Sequence, residues 1–286
     1  MNNNNKIHNL FVAIFLLVLL FGHISMSFAA KTNDTIATAK YQRIISLKPN
    51  ITKLLASLGF NQEIIGVTKF CEKPHANVVI IGDYNTIDLE GIMRLKPDLI
   101  LGSNENSQKK QYQQLVKANL NLQVYNFNTY EQMISSLQSI GALLHRDQQA
   151  QKIIVTMDEQ LNQLKERNSL ESKRKKSFIA IVQRRPLMVA SGDTFISTLL
   201  EKAGLRNSFR LNQIAYPVVD EEEVVRELVD YTFDFSHDVK EGDRYYLNKK
   251  IVPLKLKDYL AAPQSVTNLV GVFQKPEAKK QEVEIY

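Results

Sequence analysis

The sequence predicts an α/β protein of two lobes, each a mostly parallel sheet flanked by helices, joined by one long rigid helix. Three observations carry that expectation. Strand-like and helix-like segments alternate from residue 43 to 144, a strand-free helical stretch runs from Asp147 to about Asn168, and a second alternating set follows. Strands alternating with helices build parallel sheets covered on both faces. A helix of roughly twenty residues is about 30 Å long, which suits a strut between lobes.

The first lobe is expected over residues 43–145. Arg43–Ser46 reads as a strand, and Pro49-Asn50 opens a helix with Asn50 as N-cap. Ile51, Leu54, Leu55 and Leu58 recur at i, i+3, i+4, i+7, and Gly59 closes that helix as its C′ residue. Glu63–Val67 and Val78–Ile81 are the next strands, separated by a loop holding Phe70, Cys71 and Pro74. A loop with Tyr84 leads to Asp88, an N-cap, and the following helix stops before Pro97 because the residue preceding proline avoids helical backbone. Asp98–Leu101 reads as strand, Gln108–Ala118 as helix, Leu122–Phe127 as strand and Tyr130–Leu144 as helix.

The connecting helix is expected within residues 146–172, with Ile153, Ile154, Met157, Leu161 and Leu164 on one stripe. The second lobe follows over 173–274. Its strands are Phe178–Gln183, Met188–Ala190, Thr232–Phe235 and Ile251–Leu254, and its helices Thr194–Ala203, Glu221–Asp230 and Gln264–Phe273. Residues 275–286 form a charged tail.

Ahead of the lobes, Lys6 is the only formal charge before Lys31. An apolar run from Leu10 to Phe21 comes next, and Ser27-Phe28-Ala29 fits a small-x-small cleavage pattern. That is the layout of a secretory signal peptide, and the run is shorter than the roughly 20 residues a bilayer span needs. Residues 1–29 are therefore expected to be removed on export to the periplasm, leaving a flexible leader over 30–42. No Cys stands at the end of the apolar run, so no lipid anchor is expected.

The net charge is +6, mixed along the chain, and the run Lys173-Arg174-Lys175-Lys176 reads as a solvated helix end. No nucleic-acid partner is expected. Cys71 is the only cysteine, so no internal disulfide can form, and it reads as a small loop residue rather than a soft metal ligand. His75, His145 and His237 are scattered along the chain after the leader, which argues against a receptor for a bare metal ion. No Gly-x-Ser-x-Gly elbow, phosphate loop or zinc motif occurs; Ser191-Gly192-Asp193 reads as a turn. An exported hydrolase-like enzyme using Ser191 or His237 is the competing reading.

The stretch RIISLKPNITKLLASLGFNQEIIGVTKFCEKP, followed by IGDYNTIDLEGIMRLKPDLILGSN, resembles the first lobe of the periplasmic binding proteins for iron complexes and vitamin B12. The matching positions include Arg43, Ser46, Pro49, Thr52, Gly59, Gly66, Pro74, Gly82, Glu90, Pro97 and Asp98. The second lobe resembles it more loosely, at LLEKAGLRNSF, YPVVDEEEVV and APQSVTNLVGVF. The resemblance implies a cleft between the lobes that grips a ferric siderophore, haem or cobalamin. It implies no catalysis and no resident cofactor, a monomer, and delivery to an ABC permease driven by its ATPase. A sensor that keeps the fold without a permease is a further alternative.

In this family one surface Glu per lobe meets permease arginines; the motifs put these at Glu90 and Glu222, the latter flanked by Glu221 and Glu223. A carboxylate in the first turn of a helix is favoured by its dipole and pairs with Arg bidentately. Tyr84 aligns with a loop position that carries a Trp in the B12 binder, close to where haem binders place an iron-ligating Tyr. Ligands of open parallel sheets sit beyond the strand carboxyl ends. That rule adds Lys48, Phe70, Asn104, Arg184, Arg185 and His237 as ligand-binding candidates. Arg184 and Arg185 read equally as carboxylate binders or as solvated charges at a strand end. The chain has no Trp, and its second lobe carries YTFDFSHD where relatives have a more apolar strand, so the ligand within this class stays open.

Overall fold

The computed structural model describes residues 40–83, 86–104, 109–171, 174–236, 252–253 and 266–269. The expected signal peptide, most of the leader and the tail lie outside these residues, as do Tyr84 and His237.

The first sheet has the order β3-β2-β1-β4-β5 and is parallel throughout. Its strands are β1 (Ile44–Ser46), β2 (Ile64–Val67), β3 (Val79–Ile80), β4 (Leu99–Ser103) and β5 (Leu122–Tyr125). The order reverses at β1, so the switch point where such sheets bind ligands lies between β1 and β4. Helix α1 (Pro49–Ser57) follows β1. Its N-cap is Lys48 rather than Asn50: Pro49 takes the first helical position, where its fixed φ fits and its missing N–H costs nothing. Asn50 instead accepts from the neighbouring Ile51 N–H at 2.9 Å. The helix ends as expected at Gly59, φ +88°. The Gly59 N–H donates to Ala56 O and that of Phe60 to Leu55 O, the two bonds of a Schellman cap.

Asp88 caps α2 (Leu89–Leu95), accepting from Gly91 N–H at 2.8 Å. Asp98 stands just before β4, and its N–H already donates to Arg43 O at 3.0 Å. Its carboxylate accepts from the N–H groups of Gln42 and Arg43, and the Arg43 guanidinium donates to Leu95 O and Lys96 O at the end of α2. This clamp fixes the entry of β1, and β4 runs from Leu99. Helix α3 (Lys109–Lys117) precedes β5, and α4 (Tyr130–Leu143) leads into α5 (Asp147–Glu171), the strut.

The second sheet has the order β10-β9-β6-β7, with β8 pairing β6. Its strands are β6 (Ser177–Arg184), β7 (Leu187–Val189), β8 (Arg206–Asn207), β9 (Tyr231–Asp234) and β10 (Val252–Pro253). Only β7 runs antiparallel to β6 among these pairs. Helices α6 (Phe195–Lys202) and α7 (Glu221–Arg226) accompany it, and residues 266–269 are helical. Helix α7 stops four residues short of the expected Asp230. Glu227 is already extended, and Asp230 is held by Arg174 and Ser177 at the start of β6. β8 is too short to show a strand period and was not expected from the sequence.

Helices α4 and α5 belong to both cores. Tyr130, Met133, Met157, Leu161 and Leu164 pack with Phe178, Leu199 and Phe233 of the second lobe. Leu137, Ile140, Ala150 and Ile154 pack with Leu54, Leu58 and Leu99 of the first. The strut is thus accompanied by a second helix along part of its length.

Candidate functional site

The site is built from the loops that follow the parallel strands. After β1, Lys48 is buried, and its carbonyl accepts from the Thr52 N–H, the Thr52 hydroxyl and the Ser46 hydroxyl. Lys48 therefore serves first as the backbone pivot between β1 and α1. After β2, Lys69 Nζ pairs with Asp83 Oδ2 at 2.9 Å and lies 5.0 Å from the centre of the Phe70 ring. Phe70 is half exposed, an aromatic face open to solvent beside a charged pair. Cys71 is buried, with Sγ 3.3 Å from Thr68 Oγ1.

Asp83 also accepts from Thr86 N–H at 2.9 Å, and Asp83 N–H donates to Thr86 O at 2.8 Å. Gly82 bridges Ile87 just outside. These bonds tie together the two flanks of Tyr84 and Asn85. Gly82 sits at φ +128°, where a Cβ would collide with Thr86 and Ile87 backbone, so this closure requires glycine. After β4, the Asn104 N–H donates to Tyr125 O at 2.9 Å. Asn104 opens onto a groove of about 910 Å³ that also takes in Tyr112, Val116, Lys117, Val124 and Asn126. That groove follows the α3–β5 flank; of the sequence candidates it includes Asn104 alone.

In the second lobe the geometry separates the two arginines. Arg184 Nε donates to Asp234 Oδ2 at 2.9 Å, and both side chains are largely or wholly withdrawn from solvent. The other carboxylate oxygen accepts from Ser236 N–H at 2.8 Å and Ser236 hydroxyl at 2.6 Å. Arg184 is therefore no solvated strand-end charge: it neutralises a buried carboxylate at the end of β9. Arg185 is exposed. Asp234 was missed in the sequence because its signal is only a polar residue within an apolar strand.

Glu90 and Glu222 stand in the first turns of α2 and α7, both exposed. Glu90 lies 3.7 Å from Arg94 of its own helix, a loose surface pair. Ser191 is fully buried and its hydroxyl has no hydrogen-bond partner, which leaves it inaccessible as a nucleophile. Among the described residues no group of three or more His, Cys, Asp or Glu comes together, and no helix is long and apolar enough to cross a membrane.

Residues 44–245 match the sequence profile of the periplasmic binding protein family. The vitamin B12-binding protein of Pectobacterium carotovorum subsp. carotovorum is 26% identical to this chain over 196 residues, covering 67% of this chain and 70% of that protein. The fold is similar to the periplasmic haem-binding protein HutB of Vibrio cholerae, with TM-score 0.70 and 20% identity over 82% of this chain and 99% of that one. A possible iron-binding periplasmic solute-binding protein from Staphylococcus epidermidis is similar too, with TM-score 0.67 and 22% identity over 82% and 100% of the two chains.

Proposed function

This chain belongs to the periplasmic binding protein family, and on that premise we propose that it captures an iron complex (a ferric siderophore or haem) or cobalamin between its lobes. It then hands the ligand to an ABC permease and its ATPase. The observation that supports this reading is the placement of aromatic and charged groups at the carboxyl ends of strands, and on the loops after them, in both lobes. Phe70 and the Lys69–Asp83 pair stand in one, and Arg184, Asp234 and Arg185 in the other. Lobe-end loops of this kind are where open α/β sheets take ligands.

Within the site, Phe70 supplies an apolar face for a flat or greasy ligand, and Tyr84 stands between the tied flanks at Asp83 and Thr86. Arg185 is the exposed cation for a ligand carboxylate, with Arg184 shaping the wall through Asp234. Lys48 and Asn104 border the switch point between β1 and β4, and His237 follows Ser236 beyond the end of β9. Glu90 and Glu222 are the docking carboxylates for permease arginines. The protein is a carrier without catalytic chemistry, and residues 1–29 direct its export.

The chain has 11 Tyr and no Trp, so tyrosine fluorescence and visible absorbance together follow binding. Titration with hemin, cobalamin and ferric siderophores is expected to show one ligand bound at equimolar stoichiometry without turnover. Failure of every one of these to bind would reject the reading, and hydrolysis of a model ester would revive the enzymatic alternative.

A further inference from the structure

The outer edge of the second lobe carries an apolar strip that the cleft does not use. Residues 215–219 run alongside β7: Val189 N–H donates to Pro217 O, Val219 N–H to Leu187 O and Ser191 N–H to Ala215 O. Side chains alternate along this row, with Pro217 and Val219 buried and Tyr216 and Val218 turned outward. Together with Leu211 and Ile214 just before them, the outward residues are 81% (Leu211), 65% (Ile214), 43% (Tyr216) and 64% (Val218) exposed. Four large apolar side chains thus stand open within eight residues of this edge, a concentration unlike the singly scattered exposed apolars of an ordinary surface.

The two ends of the strip carry opposite charge. At one end stand exposed Arg206, whose N–H donates to Lys176 O just before β6, and exposed Arg210, whose backbone lies against Gly192. At the other end, beyond the contact of Val219 with Leu187, stand exposed Asp220, Glu221, Glu222 and Glu223, with Arg226 as the cation of that helix. A surface that is basic, then apolar, then acidic is self-complementary under a two-fold rotation, which sets the basic end of one copy on the acidic end of the other. An anionic lipid surface would attract one end and repel the other. We propose that this edge is a self-association surface whose partner is a second copy of this chain, paired antiparallel about a two-fold axis near the middle of the apolar strip. The patch is small beside a standard interface, so the pair forms at high protein concentration and the dilute protein is monomeric. This inference does not depend on the transport reading.

Sedimentation velocity of the mature chain, from micromolar to near-millimolar concentration, tests it. The weight-average mass is expected to climb towards that of a dimer, less so in high salt because the end charges are screened. Ile214→Glu with Val218→Glu keeps the chain monomeric. Arg206→Glu with Arg210→Glu makes both ends acidic, and Glu221→Arg with Glu222→Arg and Glu223→Arg makes both basic. Each of these variants alone stays monomeric, and an equimolar mixture of the two associates. All the altered positions are surface residues, and a thermal melt of each variant verifies its fold. A wild-type chain that stays monomeric throughout overturns the proposal. So does a dimer that survives the Ile214/Val218 change, or a mixture of charge variants that remains monomeric.

Discussion

Replacing Arg184 by Met separates its two readings, ligand-binding cation and internal counter-ion. The Arg184 side chain is 13% exposed and Asp234 is fully buried, with Nε 2.9 Å from Oδ2. Opposite unit charges about 4 Å apart attract by about 4 kcal/mol at an effective dielectric near 20. Removing one partner strands the other charge, and the measured cost of doing so in buried pairs is about 3–5 kcal/mol. Met keeps the apolar stem, so the loss falls on the charge rather than on packing. In Arg184→Met, Ser236 still serves one carboxylate oxygen, but Oδ2 loses its guanidinium. A loss at the lower end, about 3 kcal/mol, lowers the melting midpoint by roughly 6–12 °C for a domain of this size.

The assay is denaturant unfolding of the single variants Arg184→Met and Asp234→Asn and of the double variant, with ligand affinity measured on each. The double variant removes both charges and is expected to recover more than half of the stability lost by Arg184→Met, because no ion is left buried alone. Arg184→Met costing less than about 1 kcal/mol, or a double variant no more stable than that single one, would refute the argument. A small stability loss combined with a large loss of affinity would return Arg184 to the ligand.

Gly59→Ala is expected to lose about 1 kcal/mol from the left-handed backbone alone, since nothing lies within 4 Å of the added Cβ; thermal melting checks it, and an unchanged midpoint would contradict the Schellman assignment. For Asp230, burial would raise the carboxyl pKa, but hydrogen bonds from Arg174 and Ser177 outweigh it and hold the value below the ordinary range. Its stabilisation is then fully present above the unfolded value near 3.9 and is lost as pH falls through the lower folded value. The gap between wild type and Asp230→Asn in denaturation titrations should accordingly shrink below about pH 4, and a gap that widens on acidification would be wrong for this mechanism. Glu90→Ala with Glu222→Ala is expected to abolish ligand uptake by cells while leaving affinity in solution unchanged; unaffected uptake would favour a sensor without a permease.

The alternation of elements in the first lobe was legible because its signals are local. Gly59 and Asp88 act within a few residues of where they stand, and both cap as expected. Apart from the N-cap of α1, which the adjacent Pro49 sets at Lys48 rather than Asn50, departures arose where a distant residue took part. Asp98 reads as the start of an apolar run, but Gln42 and Arg43, some 55 positions earlier, take its carboxylate, and strand β4 itself runs from Leu99. Helix α7 ends early for the same kind of reason, since Arg174 and Ser177 claim Asp230. The candidate site divides along the same line. The exposed carboxylates at Glu90 and Glu222 follow from motif and position, whereas the Arg184–Asp234 pair spans fifty residues and has no local signature.

The shared helices carry a consequence for how the lobes move. Phe127, Ile134 and Ile153 pack against both hydrophobic cores, so neither core can turn against the other without breaking contacts of these three side chains. On the second-lobe side, Tyr130 is buried, its hydroxyl donates to Asp158 of the strut at 3.0 Å, and its N–H donates to Thr198 of α6 at 2.8 Å. Burial, then the hydrogen bond and charge of Asp158, then the charge of Glu131, push the phenol pKa upward, so it stays a donor far into alkaline solution. Densely packed cores resist gradual deformation. A joint pinned by α4, α5 and α6 together therefore restricts the lobes to small displacements, and ligand capture must rest on side chains and loops at the strand ends rather than on wide closure. Scattering profiles that differ strongly between free and ligand-bound protein would break this reasoning.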